Sequence, residues 1–331
     1  MFDNINQLKE LISTPKKVVI TTHRGPDGDA IGSSLGLSHF LTGIGHTATV
    51  ITPNDYASFL HWVPGNNKVI VYENNETKAT QITKSADVIF LLDFSQISRI
   101  DEFGSIVQSS NAIKVMIDHH HGADFSLANL VYVDTSSSST AQLVYELIEA
   151  MQMEHLITKN IAECLYLGIM TDTGSFKYES TTSKTHEITA KLVKKGIENS
   201  KIHDLVYDNS SVNRIKLLGY CLSSRLRIYK EKNSAIISLN AKELNDFGFK
   251  NGDTEGFVNY ALAIKGIKFA AFIAEKEGIV KLSLRSKGNI KVNEIAKEHF
   301  NGGGHINAAG GVSQTSVDET IIKIEKIINN F

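Results

Sequence analysis

Residues 17–29 read KVVITTHRGPDGD, and this stretch decides the fold of the first half of the chain. The β-branched residues of 17–22 predict a short buried strand, after which His23, Asp27 and Asp29 follow within one turn. The proline and glycine of that turn fix one backbone dihedral and permit a sharp bend, so the two acids can face one cavity. One loop could therefore supply ligands to two metal ions.

Three further apolar segments repeat the strand pattern, and amphipathic segments lie between some of them. The predicted strands are 17–22, 47–52, 87–94 and 113–118, and the clearest helices are 29–42, 140–153 and 159–170. Such alternation predicts an α/β fold with a mostly parallel sheet and helices on both of its faces.

Two local patterns refine this prediction. Gly28, Gly32 and Gly36 recur every four residues, with the wrong spacing for a dinucleotide fingerprint, and are expected to let the helix 29–42 lie close against the sheet. Ser139 and Gln142 fit a capping box, which makes the serine run before them a loop and a helix start.

The second half reads differently. A helical pattern extends from about residue 183 to 224, and no strand is predicted before Ala235. A smaller α/β unit then follows, with strands near 234–239, 267–274 and 279–285 and helices near 254–263, 291–299 and 317–328. We therefore predict a first domain at 1–185, a helical linker at 186–213 and a second domain at 214–331.

Ionisable side chains follow the predicted strands. Asp93 ends the strand 87–94, Asp118, His119 and His120 end the strand 113–118, and Asp172 follows the helix 159–170. Because the carboxyl ends of parallel strands meet at one edge of a sheet, these groups should converge with His23, Asp27 and Asp29. Carboxylates this close repel one another unless cations lie between them. Oxygen and imidazole ligands without thiolates favour manganese or another hard ion, and two such ions suit in-line displacement at phosphorus.

Composition narrows the choice of partner. The chain has 34 basic and 36 acidic residues, which argues against non-specific electrostatic binding to long duplex nucleic acid or to an anionic membrane. The charge is unevenly spread, since residues 1–213 hold 16 basic and 24 acidic side chains whereas 214–331 hold 18 and 12. Two cysteines, Cys164 and Cys221, lie in apolar helical patterns and are expected to be core thiols. The start, MFDNINQLKE, lacks the layout of a secretion signal, so a cytoplasmic protein is expected.

The second half carries its own candidate site. The segment Gly302-Gly303-Gly304-His305 precedes small residues at the start of a predicted helix, where bare amides could bind an anion. Arg285, at the end of a predicted strand, could pair with a phosphate or stack on a base.

Taken in order, these motifs resemble those of the DHH/DHHA1 phosphoesterases, in particular the bacterial branch of nanoRNA hydrolases and 3′-phosphoadenosine 5′-phosphate (pAp) phosphatases. The matching segments are THRGPDGDAIGS (22–33), FLLDFS (90–95), IDHH (117–120), MTDTGSF (170–176), and RSKG with GGGHINAAG in the second half. One departure is Asn301, which stands where the glycine-rich signature often has a further glycine.

The resemblance implies a ligand set. His23, Asp27 and Asp93 would hold one manganese ion, Asp29, Asp93, His119 and Asp172 the other, and magnesium or cobalt could substitute. Asp118 would orient the imidazoles, and His120 would either stabilise charge on the phosphate or protonate the leaving oxygen. Arg285 and residues 302–305 would bind substrate across a cleft between the domains. A homodimer is also implied.

The implied reaction is hydrolysis, by water that two metal ions activate, of short oligoribonucleotides of roughly two to five residues and of the 3′-phosphate of pAp. A phosphodiesterase for pApA or cyclic di-AMP is the alternative, and a non-catalytic nucleotide sensor is a remote one. A pyrophosphatase is disfavoured because the second domain carries GGGH. The Asp134-Thr-Ser and Asp172-Thr-Gly turns resemble those of aspartic proteases, but helical patterns surround both.

Overall fold

Six parallel strands form the sheet of the first unit, which ends at Asn209. The computed structural model describes residues 4–276 and 278–330. The strands of this unit are β1 (Lys17–Thr21), β2 (Thr47–Thr52), β3 (Ile70–Val71), β4 (Val88–Leu92), β5 (Ile113–Asp118) and β6 (Leu130–Val133). They lie in the order β3-β2-β1-β4-β5-β6, so the direction of winding reverses between β1 and β4. Ligands of open α/β sheets bind at the carboxyl ends of strands beside such a reversal.

Helices cover both faces of this sheet, as the sequence predicts. They are α1 (Ile5–Leu11), α2 (Gly28–Gly43), α3 (Glu76–Lys84), α4 (Phe103–Ser109), α5 (Thr140–Ala150), α6 (Lys159–Asp172), α7 (Ser183–Val193) and α8 (Asn199–Tyr207). Alternate strand residues point to opposite cores. Ile20 and Phe90 join the core formed with α2, α5 and α6, whereas Val19 and Ile89 join the core formed with α3 and α4.

The glycine stripe of α2 faces a helix, which corrects the expectation that it faces the sheet. A Cβ atom at Gly32 would lie 2.4 Å from the carbonyl oxygen of Cys164 in α6, and one at Gly36 would lie 2.7 Å from Leu165. The spacing therefore predicts correctly which face of α2 is closely packed, but that face packs against α6 and not against the sheet. Because the glycines have no side chains, the backbones of α2 and α6 come into direct contact.

The capping box predicted at α5 is only half formed. The Ser139 hydroxyl accepts a hydrogen bond from the backbone of Gln142, but the Gln142 side chain does not return to Ser139. Its amide oxygen instead accepts from Ser138 and Thr185, and its amide nitrogen donates to Glu146. The glutamine thus ties the start of α5 to α7.

The helices after residue 183 pack onto the first unit. Ile188 and Leu192 of α7 and Ile202 of α8 are buried in the same core as α2, α5 and α6. The second unit begins at Ser210, just before α9 (Val212–Tyr220).

The second unit contains a mixed six-stranded sheet in the order β11-β12-β10-β9-β8-β7. Its strands are β7 (Leu226–Tyr229), β8 (Ser234–Leu239), β9 (Phe269–Lys276), β10 (Ile279–Ser286), β11 (Gly303–His305) and β12 (Ala308–Ser313), and its further helices are α10 (Ala241–Asp246), α11 (Phe257–Leu262), α12 (Val292–His299) and α13 (Val317–Ile328). The expectation of no strand before Ala235 is wrong, because β7 pairs antiparallel with β8. A single π-helical turn at Cys221–Arg225 joins α9 to β7, so the helical pattern runs on almost to the strand.

Both cysteines are buried and neither forms a disulfide. Among the described residues, no helix combines the length and apolar character needed to cross a membrane.

Candidate metal centre

The loop after β1 places two of the predicted ligands. His23 is buried, and its Nδ1 lies 2.9 Å from the carbonyl oxygen of Arg24, which can only accept, so Nδ1 carries the proton. Its Nε2 then faces Asp93, 3.5 Å from Oδ2. Asp27 caps α2, and its Oδ1 accepts from the backbone amides of Asp29 and Ala30 at 3.0 Å each. The loop therefore presents an imidazole nitrogen and a fixed carboxylate to one side of Asp93.

Asp93 follows β4 and lies at the middle of the site. Its φ of 65° is in the left-handed region, which non-glycine residues rarely adopt and which is found mostly at functional sites. Its backbone amide donates to the carbonyl of Ile117 in the neighbouring strand, 3.1 Å away. The carboxylate Oδ1 accepts from the hydroxyl of Thr140 at 2.9 Å and lies 3.5 Å from Nε2 of His119. Histidines therefore approach both of its oxygens.

The end of β5 supplies the next three groups. Asp118 is fully buried, and its Oδ1 accepts from the backbone amides of His119 and His120, at 2.9 and 3.2 Å. The same oxygen lies 2.8 Å from Nδ1 of His120, which fixes the orientation of that ring. Among the described residues, Oδ2 of Asp118 has no hydrogen-bond partner.

His119 faces three carboxylates with one nitrogen. Its Nδ1 lies 3.3 Å from the carbonyl oxygen of Ser137, so the proton is on Nδ1 as in His23. Its Nε2 lies 3.4 Å from Asp172, 3.5 Å from Asp93 and 3.8 Å from Asp29. A histidine that donates Nδ1–H to a carbonyl and turns Nε2 towards carboxylates has the arrangement of a metal ligand.

Helix ends position the last two acids. Asp29, in the first turn of α2, is buried and accepts from the amides of Thr140 and Ala141 at 2.7 and 2.8 Å. Those amides belong to the first turn of α5, whose dipole favours a negative charge there. Asp172 is the last residue of α6 and its side chain is one quarter exposed.

The electrostatics show how tightly these groups are coupled. Burial raises the pKa of Asp29 well above its ordinary value, and the neighbouring carboxylates Asp93 and Asp172 raise it further. Burial and the acids Asp27 and Asp93 also raise the pKa of Asp172, to about 6, against the opposing effect of His119.

For His119 and Asp93, neighbouring groups of opposite charge outweigh burial in setting the pKa. Burial alone would lower the pKa of His119, but Asp172, Asp93 and Asp29 raise it well above its ordinary value. Burial would likewise raise the pKa of Asp93, yet His119, His23 and His120 hold it well below its ordinary value. Without metal, protons on the imidazoles therefore offset part of the carboxylate charge, and a dication could replace them.

The ligand atoms fit two cations. His23, Asp27 and Asp93 form one group in which an atom from each residue lies within 4.8 Å of the others, and Asp29, Asp93 and His119 form a second. Asp93 belongs to both groups. The donors are carboxylate oxygens and imidazole nitrogens, which suit hard or borderline divalent ions.

The substrate-binding candidates belong to the second unit. Arg285 lies on β10 opposite Ala308 of β12, and its Nη1 donates to the carbonyl of Leu284 at 2.9 Å. The expectation that small residues after His305 begin a helix is wrong, because Gly303–His305 and Ala308–Ser313 pair as antiparallel strands. A helix dipole cannot assist anion binding there. The glycines instead permit close strand pairing, since a Cβ atom at Gly302 would overlap the carbonyl oxygen of Gly310.

Asn301 is accommodated by its backbone. Its φ is 45°, in the left-handed region that glycine adopts readily and asparagine tolerates better than most residues. The asparagine therefore keeps the turn that a glycine would make. Asp134, noted for its likeness to a protease turn, uses Oδ1 to accept from Ser136 in an exposed turn.

Sequence reasoning missed the role of the segment 137–141. It treats the serine run as a loop and a helix start, yet Ser137, Thr140 and Ala141 contact His119, Asp93 and Asp29. The signal available was position, because the segment follows a strand that ends at the same edge of the sheet. Arg99 was missed as well: burial and its guanidinium act to lower the pKa of His23, but Asp93 and Asp27 raise that pKa above its ordinary value.

Comparison with known proteins identifies two family domains in this chain. Residues 17–169 match the family described as DHH family, N-terminal domain, and residues 233–330 match the DHHA1 domain. The bifunctional oligoribonuclease and PAP phosphatase NrnA of Thermus thermophilus is 31% identical over 88% of this chain and 83% of its own length. The cyclic-di-AMP phosphodiesterase GdpP of Bacillus subtilis is 28% identical over 98% of this chain and 49% of its own length.

Solved structures agree with these matches. An exopolyphosphatase-related protein from Bacteroides fragilis is 40% identical, with a TM-score of 0.95 over 100% of this chain and 96% of that one. RecJ of Thermus thermophilus, crystallised in complex with Mn²⁺, is 11% identical with a TM-score of 0.54 over 99% of this chain and 54% of that one, which concerns the fold alone. From its two domains and its relatives, the chain belongs to the DHH/DHHA1 family of phosphoesterases.

Proposed function

We propose that this phosphoesterase is manganese-dependent, hydrolyses short oligoribonucleotides to mononucleotides, and converts pAp to AMP by removing the 3′-phosphate. The observation that carries the metal assignment is the position of Asp93 in two groups of ligand atoms at once. The substrate assignment is supported by the likeness to NrnA over most of both chains.

In this proposal His23, Asp27 and Asp93 hold one ion, and Asp29, Asp93, His119 and Asp172 hold the other. Bound there, two dications would lower the pKa of a water molecule and offset negative charge on the phosphate. The buried carbonyl contacts of His23 and His119 keep each Nε2 turned to the carboxylates, so these rings need no reorientation to bind. Manganese is favoured over magnesium because imidazole is a poorer ligand for magnesium.

His120 acts on the substrate in this scheme. Asp118 accepts from its Nδ1 at 2.8 Å, which orients the opposite edge of the ring. A ring of this kind can hydrogen-bond the phosphate or protonate the leaving oxygen. Arg285 and residues 302–305 are proposed to bind the remainder of the nucleotide, where the guanidinium suits a phosphate.

A phosphodiesterase for pApA or cyclic di-AMP is the second candidate. It is supported by the likeness to GdpP, which spans 98% of this chain. The ligand set is compatible with both candidates, because each reaction displaces a sugar oxygen from phosphorus. Only the rates on defined substrates separate them.

The test is a substrate panel. Purified chain, first stripped with chelator and then loaded with manganese, magnesium or cobalt, is incubated with pAp, pApA, cyclic di-AMP, an RNA ladder of about two to five nucleotides and a long RNA. Products are identified by mass spectrometry. We expect AMP from pAp and mononucleotides from the ladder, fastest with manganese and slowest on the long RNA.

An Asp93→Ala preparation purified in parallel reports any contaminating nuclease. A strong preference for cyclic di-AMP would transfer the assignment to the second candidate. Tight binding of pAp without any product would show a nucleotide sensor and overturn the enzymatic proposal.

A further inference from the structure

The serine and threonine run before α5 contacts three of the proposed ligands. The Ser137 carbonyl lies 3.3 Å from Nδ1 of His119, and the Thr140 hydroxyl donates to Oδ1 of Asp93 at 2.9 Å. The amide of Thr140 also donates to Oδ2 of Asp29 at 2.7 Å. One residue, Thr140, thus contacts a carboxylate from each of two separate segments of the chain.

We infer that Thr140 is a positioning residue of the metal centre, whose hydroxyl sets the rotation of the Asp93 carboxylate that both ions share. This inference rests on the proposed two-metal function. It concerns the hydroxyl alone, because any residue other than proline at this position would supply the backbone amide to Asp29.

Helix formation does not account for the hydroxyl. Ser139 already caps α5, since its Oγ accepts from the amide of Gln142 at 3.0 Å. The hydroxyl of Thr140 does not take part in that cap, because it donates to a carboxylate that lies 47 residues away in sequence. Thr140 is also completely buried, so water is not available to replace the hydrogen bond.

The geometry of Asp93 explains why its rotation matters. The terminal torsion of an aspartate has a broad energy minimum, so its carboxylate turns easily unless neighbours restrain it. Oδ2 of Asp93 faces His23 at 3.5 Å, and Oδ1 faces His119 at the same distance. A carboxylate that serves two ions must keep both oxygens in place, and the hydroxyl restrains one of them.

One residue of the run, Ser138, belongs to a buried network of side-chain hydrogen bonds. Gln142 accepts from Ser138 at 2.7 Å and from Thr185 of α7 at 2.9 Å, and it donates to Glu146. This network does not include the hydroxyl of Thr140, which donates to Asp93. It also provides a matched control, because Thr185 is a second fully buried threonine with a 2.9 Å hydrogen bond to a side chain.

The experiment compares Thr140→Val, Thr140→Ser and Thr185→Val with the wild-type chain. Metal-free protein is titrated with manganese chloride by isothermal calorimetry, without substrate, and kcat and KM are then measured on pAp. Thr140→Val should weaken manganese binding about 10-fold or more, the loss typical for an outer partner of a metal ligand. It should lower kcat while leaving KM for pAp within about 2-fold, since uniform substrate binding is untouched.

Thr140→Ser keeps the hydroxyl and should bind manganese within about 2-fold of wild type. Thr185→Val should lose stability but keep wild-type manganese affinity and kcat. Equal losses in Thr140→Val and Thr140→Ser, or in Thr140→Val and Thr185→Val, would overturn the inference in favour of a packing or network effect. Wild-type affinity in Thr140→Val would also overturn it.

If Thr140→Val does not accumulate as folded protein, Thr140→Ala removes the same hydroxyl and is read in the same way. Failure of the wild-type chain to bind manganese, magnesium or cobalt would instead overturn the proposed function. The two failures are therefore distinguishable in one titration series.

Discussion

The two units carry their charges in opposite ways. In the first, Asp29, Asp93 and Asp118 are buried beside one another at one edge of a parallel sheet, with histidines as their main cationic neighbours. In the second, ion pairs join exposed side chains of opposite charge, as in Lys242 with Asp246 and Lys291 with Glu294. The first unit thus concentrates negative charge, and the second disperses charge of both signs.

This difference indicates that the buried charges of the first unit reduce its stability, whereas the exposed charges of the second do not. Exposed ion pairs contribute about 0–1 kcal/mol each and can be changed with little effect. Buried carboxylates that repel one another raise the free energy of the folded chain until a cation or a proton offsets them. Changes in the first unit should therefore alter metal binding and turnover, whereas changes in the second should alter substrate binding.

The largest effect is expected from Asp93→Ala. Because Asp93 belongs to both groups of proposed ligands, its loss should abolish turnover and also the rise in melting temperature that we expect manganese to cause in wild type. Asp87→Ala, at the exposed start of the same strand, is the control and should keep both. Near-normal activity of Asp93→Ala with manganese present would refute the two-ion arrangement.

His120→Gln is expected to have the next largest effect, a loss of about 10²–10⁴-fold in kcat on pAp if the ring protonates the leaving oxygen. An aryl phosphate with a good leaving group should then lose much less, because its oxygen needs no proton. Equal losses on both substrates would assign His120 to charge stabilisation. His121→Gln, an exposed neighbour, should behave as wild type.

Arg285→Ala tests the second unit. Loss of one charged hydrogen bond costs about 1.5–3 kcal/mol, so KM for pAp should rise roughly 10-fold or more while kcat changes little. Arg227→Ala removes an exposed arginine from the same sheet and serves as the control. A fall in kcat at unchanged KM would place Arg285 among the catalytic groups and weaken the contrast between the units.

The smallest effect is a pH-dependent change in stability caused by Asp172→Asn. Because the folded, metal-free chain raises the pKa of Asp172 to about 6, ionisation of this carboxyl costs stability as the pH rises from its ordinary pKa through 6. Asparagine stays neutral, so in chelator the advantage of the variant over wild type should grow between pH 5 and pH 8 and reach a few degrees of melting temperature at pH 8.

Differential scanning fluorimetry in the presence of chelator measures this difference. Asp246→Asn, which breaks an exposed pair in the second unit, should show no such pH dependence. A constant offset between Asp172→Asn and wild type at both pH values would contradict the assignment of the cost to ionisation.

Much of the first unit follows from its sequence for a simple physical reason. Parallel strands buried on both faces are short, β-branched and apolar, so their ends are easily found, and the acids at those ends must share one edge. His23, Asp93 and His119 could therefore be brought together without coordinates. Thr140 is harder to recognise, because a serine and threonine run also suits an ordinary helix start and does not reveal the hydrogen bond to Asp93.

The second unit was harder to predict because its decisive residues carry little pattern. Glycine and alanine at 302–311 have no periodicity that separates a helix start from a pair of strands, and the structure shows the strands. β7 has only four residues and directly follows a helical turn, which hides its alternation. The glycines of α2 show the same limit, since spacing identifies a face but not the element that packs on it.

The contact between α2 and α6 also has a consequence for ion choice. Asp29 begins one of these helices and Asp172 ends the other, and at Gly32 their backbones touch without intervening side chains. Two backbones in contact adjust less easily than side chains do. The distance between these two carboxylates is therefore constrained by main-chain packing. A centre whose ligands are rigidly spaced discriminates among ions by their radius. Gly32→Ala would therefore change the ion radius that the centre prefers, although it alters no ligand.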